Sequence, residues 1–145
     1  MPIVSFVWVM AALLAQQPAA SSATTSNLDF QFYRARVEPI FLAKRPGHAR
    51  CYACHSQGTP MRLQLLSPGS ATWNEDESRK NFEAVRRMVS PANPPTSPLL
   101  LHPLANEAGG DLFHNGGKHW SAQSDQEWQT LLAWASGRTA GGSAR

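Results

Sequence analysis

Apolar side chains recur along this chain first at helical and then at extended spacing, and the change of period lays out its elements. Phe30, Tyr33, Val37, Ile40 and Phe41 stand three or four residues apart, the spacing of one helix face, with Asp29 ahead of them as a cap. Pro39 falls inside this run, so the helix must bend or restart there, and it should end near Lys44, before Pro46 and Gly47. Met61, Leu63 and Leu65 then alternate with Arg62 and Gln64, which predicts a short extended stretch ending in a turn at Ser67, Pro68 and Gly69. Asn74 caps a second helix whose apolar face is Phe82, Val85, Met88 and Val89. Glu75, Asp76 and Glu77 occupy its first turn, where the helix dipole favours anions.

Pro91, Pro94, Pro95, Pro98 and Pro103 forbid a continuous helix beyond this point, and Gly109, Gly110, Gly116 and Gly117 extend the irregular region to about Ser121. A solvated linker would not carry Leu99, Leu100, Leu101 and Leu104, so this loop should be ordered. The last helix is expected to begin at Ser124, with Glu127 in capping-box position and Trp128, Leu131, Leu132 and Trp134 or Ala135 on one face. No internal repeat is present. The pattern predicts an all-α domain of about three main helices, a minor extended segment and a long Pro/Gly-rich loop.

The first 28 residues carry no charged side chain, and the apolar run Ile3 to Leu14 is followed by the small residues Ala19 to Ala23. That run is shorter than the roughly 20 residues a membrane-spanning helix needs, and it reads as a secretory signal, although Lys or Arg is absent from its front. The expected layout is a signal peptide over 1–23 with cleavage near 20–23, a flexible linker over 24–28, a folded domain over 29–138 and a flexible tail over 139–145. This places the protein in the periplasm or otherwise outside the cytoplasm, with no membrane span after signal cleavage. The remaining roughly 120 residues make one small domain that buries about two thirds of its surface, so a large apolar cofactor would add materially to its core.

Charge changes the picture little. The formal net charge is +3, and basic residues such as Arg79, Lys80, Arg86 and Arg87 are interleaved with Glu75, Asp76, Glu77 and Glu83. No single-sign stripe exists that could track a phosphate backbone, which argues against nucleic acid as a partner. Lys44, Arg45 and Arg50 are read as a solvated surface or as partners for acidic groups.

The chemistry concentrates in Cys51, Tyr52, Ala53, Cys54 and His55, which form C-x-x-C-H, the c-type haem attachment pattern. Two cysteines one helical turn apart can each form a thioether with a haem vinyl group. The histidine that follows then lies beneath the iron as its proximal ligand. A thioredoxin-like site would need a strand-to-helix context, and a zinc site would need further ligands. These are the chain's only two cysteines, and a disulfide between them would constrain little.

In these residues the chain resembles the monohaem cytochromes c, and among them the planctomycete-type cytochrome c domains of exported proteins. The resemblance covers about Phe30 to Gly137. It is anchored on Val37, Pro39, Ile40 and Phe41, on Cys51-Cys54-His55, on Ser97, Leu99 and Leu100, and on Leu131, Leu132, Ala133 and Trp134. It implies a small cytochrome c-like fold around one covalently bound haem, with crossed first and last helices. In the family the distal ligand commonly sits in a Met-Pro-Pro segment about twenty residues before the tryptophan of the last helix. This chain has His114, Asn115, Gly116 and Gly117 there, so the resemblance implies His114 as distal ligand.

Chemistry alone leaves His114, His102, His119, His48, Met88 and Met61 as distal candidates. His48 stands too near the attachment segment to reach across a haem, whereas Met88 and Met61 sit in patterns typical of core residues. The alternative after His114 is His102. Trp73, Trp120, Trp128 and Trp134, with Phe30, Phe32 and Phe41, read as pocket and packing residues. The expected function is single-electron transfer by an exported, bis-histidine-ligated carrier with exported redox partner proteins and no catalytic residues. Two alternatives stand beside it: a haem enzyme, peroxidase-like in chemistry, or gas-binding sensor with an open distal position, and a self-associating subunit of a larger haem array.

Overall fold

The computed structural model describes residues 28–142. The expected signal peptide and all of the linker but Leu28 lie outside these residues, and Leu28 packs against the core. The described residues are mostly helical and contain no strand. Helix α1 runs through Phe30–Phe32, a π-helical turn Tyr33–Val37 and Glu38–Leu42. It is followed by α2 (Cys51–His55), α3 (Glu75–Arg86), α4 (Pro98–Leu101) and α5 (Gln126–Ala135), with single 3₁₀ turns at Pro94–Thr96 and Asn106–Ala108. None of these helices is long and apolar enough to cross a membrane.

The start of α1 follows from its sequence, because Asp29 accepts the Phe32 N–H at 2.6 Å. Pro39 neither breaks nor visibly restarts the helix. It has no N–H to give the fourth carbonyl behind it, and the turn preceding it is widened instead, with the Glu38 N–H donating to the Tyr33 carbonyl. The helix stops at Leu42, two residues short of the expected Lys44. Helix α3 opens with a full capping box, Asn74 and Glu77 each accepting the other's backbone N–H.

The expected start of the last helix fails because a distant partner outbids a local one. Helix α5 begins at Gln126 with Asp125 as its cap residue, not at Ser124. The Glu127 carboxylate forms no capping box. It accepts from Arg45 Nε and Trp120 Nε1, each at 3.0 Å. The 61–65 segment is extended but pairs with no strand: its Leu63 N–H donates to the His55 carbonyl (2.9 Å), and its Gln64 N–H to Asn81 Oδ1 (2.7 Å). Met61 and Leu63 are buried as alternation requires, whereas Leu65 is 67% exposed and the neighbouring Leu66 packs on the core.

The core joins both ends of the described chain. Tyr33 and Trp134 rings lie 5.4 Å apart, and Trp134 Nε1 donates to the Asp29 carbonyl at 3.0 Å, so the first and last helices pack together. Four indoles each find an acceptor: Trp73 at the Gln64 carbonyl, Trp120 at Glu127, Trp128 at the Leu100 carbonyl and Trp134 at the Asp29 carbonyl. Leu99, Leu100 and Leu104 are buried, so the proline-rich connection is part of the core, as its leucines predicted.

Glu38 is the one acidic side chain buried in this core. Its Oε2 accepts from Ser78 Oγ at 2.9 Å, and burial pushes its pKa up against the opposing effects of Ser78 and Arg34. A carboxyl that holds its proton more tightly when folded stabilises the fold at low pH. That contribution is lost as pH rises past the unfolded carboxyl range and through the raised folded value. Glu38→Gln keeps the shape and removes the ionisation. It is expected to be more stable than the wild type at pH about 8, by about 1 kcal/mol, with the gap closing toward pH about 4 in urea unfolding curves.

Candidate functional site

Helix α2 is a single turn that carries the attachment motif. Its geometry sets Cys51 and Cys54 one turn apart, with both thiols free, Cys51 half-buried and Cys54 exposed. Burial pushes the Cys51 thiol up, opposed by the Arg45 guanidinium, whose Nη1 lies 3.8 Å from Sγ. Arg45 also donates to the Ile40 carbonyl at 3.0 Å and pairs with Glu127. It is therefore a tie between α1, the motif and α5, and of the two readings its sequence allowed, a solvated cation or a partner for an acidic group, it is the second.

His55 ends the turn. Its Nδ1 lies 2.8 Å from Thr59 Oγ1 and 3.1 Å from the Met61 carbonyl. A carbonyl oxygen only accepts, so the Nδ1 contact to Met61 places the ring proton there and leaves the Nε2 lone pair unspent. Burial holds the imidazole pKa down, the Met61 bond opposes this, and His114 and His102 add to the lowering. These effects favour the neutral ring, the form that ligates a metal.

A cavity of about 330 Å³ opens beside the motif, within the size range of cofactor pockets. Cys51, Cys54 and His55 line it together with apolar groups that include Phe41, Met61, Met88, Leu99, Phe113 and Trp120. His114 enters the cavity from the loop after α4. Its ring centroid lies 6.3 Å from that of His55, with the two planes 24° apart. Its Nδ1 donates to the Gly117 carbonyl at 2.6 Å, which again leaves Nε2 unspent. Gly117, at φ +79°, returns its N–H to the His114 carbonyl at 2.9 Å, so the turn that carries the histidine also clamps it.

This spacing can be tested against ligation. An imidazole nitrogen binds a metal at about 2.0 Å and lies roughly 1.1 Å from its ring centre, so two rings on opposite sides of one metal have centroids about 6 Å apart. The observed distance fits. Among the described residues no group of three or more His, Cys, Asp or Glu side chains is placed to hold a metal ion.

The other candidates divide. His102 also lines the cavity, but its Nδ1 is bonded to Asp111 Oδ2, while its carbonyl accepts from Lys118 Nζ at 2.9 Å. His119 lines the cavity with a buried Nδ1 that has no protein partner, and burial, followed by Arg45, His48 and His114, lowers its pKa to about 4. Met61 and Met88 stand in the cavity wall, whereas His48 lies outside it against His119, ring centroids 4.9 Å apart and planes tilted by 42°. Asp111, Thr59 and the Arg45–Glu127–Trp120 network were not singled out from the sequence. Arg45, Glu127 and Trp120 were each read separately, and only the fold brings them, like Asp111 and Thr59, to their partners.

The loop bearing His114 is stitched down along its length. Asp111 donates its N–H to the Leu101 carbonyl at 3.0 Å, His119 to the Pro103 carbonyl at 2.7 Å, and Ala105 to the Trp120 carbonyl at 2.8 Å. At Gly110 the approach is closest: a Cβ there would stand 2.0 Å from the Leu104 carbonyl oxygen. Gly110→Ala must therefore displace the loop. It is expected to cost about 3 kcal/mol or more in urea unfolding and to move His114 off its position.

Comparison with protein-family models, curated proteins and solved structures finds no match to this chain.

Proposed function

We propose that this protein is a monohaem c-type electron carrier that works outside the cytoplasm. Cys51 and Cys54 would hold the haem as thioethers, with His55 and His114 as its axial ligands. The observation that carries this reading is the pair of neutral-capable imidazoles facing each other at 6.3 Å across a cavity bordered by both thiols. The haem, when bound, supplies one-electron exchange at its iron. The chain's own contribution is to fix ring orientation through the Met61 and Gly117 carbonyls and to keep water from the iron with apolar walls. Two histidines in place of a histidine and a methionine imply a lower-potential carrier. Its partners would be other exported redox proteins.

Visible spectra of the purified protein, oxidised and reduced, test this. The expected result is a low-spin c-type spectrum without a methionine-to-iron charge-transfer band. A methionine band would transfer the distal role to Met61 or Met88, and absence of haem would sink the proposal. The Asp111-held His102 in the same cavity favours one second reading, a haem enzyme or gas-binding sensor with an open iron site. Binding of carbon monoxide to the reduced wild type without a ligand-exchange lag would select that reading.

A further inference from the structure

Away from the cavity, the contact between α1 and α3 contains a concentration of unspent polar valence. Among the described residues, four buried side-chain atoms have no protein partner, and three of them belong to this one contact: Tyr33 Oη, Glu38 Oε1 and Asn81 Nδ2. The parent side chains are almost wholly inaccessible, Tyr33 and Asn81 at 0% and Glu38 at 6%. Leaving such a group unsatisfied costs about 1–3 kcal/mol, so three together call for a common partner.

Their juxtaposition has a backbone cause. The π turn closed by the Glu38 N–H on the Tyr33 carbonyl stacks residues five apart, which an α turn would splay to different faces. Glu38 and Tyr33 therefore point together toward α3. There Ser78 Oγ donates to Glu38 Oε2 at 2.9 Å, and Asn81 stands one turn further along the same face. Phe82, next to Asn81, packs its ring 5.3 Å from that of Tyr33.

The valences also say what the partner is. Asn81 Oδ1 accepts the Gln64 N–H at 2.7 Å, which fixes its amide so that Nδ2 is a donor. A cation would meet that N–H, and an anion would meet the Glu38 carboxyl. Arg34, whose field lowers the Glu38 pKa, is bonded to Glu75 at 3.3 Å and fills none of the three free valences. One donor, one carboxyl oxygen and one hydroxyl that can act either way match the three hydrogen bonds an internal water typically makes. We infer that the α1–α3 contact is a binding site for one internal water molecule, held by Tyr33 Oη, Glu38 Oε1 and Asn81 Nδ2.

Crystal structures of the full chain and of Tyr33→Phe, at a resolution of about 1.5 Å, test the site. The expected wild-type result is one fully occupied water within hydrogen-bond distance of all three atoms. In Tyr33→Phe it should be lost or at most half-occupied, with the ring packing kept. Direct contact between Glu38 Oε1 and either Tyr33 Oη or Asn81 Nδ2 with no water between them would overturn the inference, as would a niche without density. If the variant does not fold, the wild-type density alone decides, and neither result depends on whether haem is attached.

Discussion

Replacing both Cys51 and Cys54 with serine is expected to abolish covalent haem attachment completely, because no other thiol exists in the chain. Haem staining after denaturing electrophoresis checks this, the wild type retaining stain and the double variant none. Each single variant should keep one thioether and show a pyridine haemochrome band shifted to longer wavelength. The two singles should differ in yield. Cys54 is exposed and reachable as the protein stands, whereas Cys51 is half-buried beneath Arg45, so a chain relying on Cys51 alone should load less haem than one relying on Cys54. Retained stain in the double variant would remove the attachment reading altogether.

His114→Ala is expected to convert the iron from low spin to high spin in full and to open it to carbon monoxide. The Gly117 carbonyl that positions the ring is main chain and survives the substitution, so the effect isolates the imidazole. His102→Ala should leave the spin state unchanged, since it removes neither of the two proposed ligands, His55 and His114. An unchanged low-spin spectrum in His114→Ala would instead assign the distal role to another group in the cavity wall, and the histidine or methionine whose removal then produced high-spin iron would be that ligand.

What could be read from the sequence was whatever is decided within a few residues. The Asp29 and Asn74 caps, the helical face through Val37, the last-helix face of Trp128, Leu131 and Trp134, and the ordered leucines after Pro98 all appear where local pattern put them, and Phe82 and Val85 share the α3 face although Met88 and Val89 fall past its end at Arg86. The attachment motif is local too, and the structure adds what surrounds it. The failures are non-local. Glu127 looked like a capping-box acid because Ser124 stands three residues before it, yet Arg45, 82 residues away, claims the carboxylate. The alternating 61–65 stretch is extended as its pattern predicts, but the partners of its backbone, the His55 carbonyl and the Asn81 side chain, are nowhere in that pattern. Ser78 and Asn81 interrupt the apolar face of α3 and are nonetheless buried, because α1 offers them Glu38 and 61–65 offers a bare N–H. No periodicity argument reaches a polar residue whose partner lies 40 positions away.

The bond from Trp134 to the Asp29 carbonyl spans 105 residues, and the link from Arg45 to Glu127 spans 82. Loops of that length close late, since their entropy is spent before any contact is returned. While a chain is still emerging, Arg45 beside residues 51–55 therefore lacks the grip of Glu127. Sequence order thus acts as a timer on one thiol: Cys51 meets an Arg45 held by Glu127 only once the last helix has arrived, whereas Cys54 stays exposed in the finished fold.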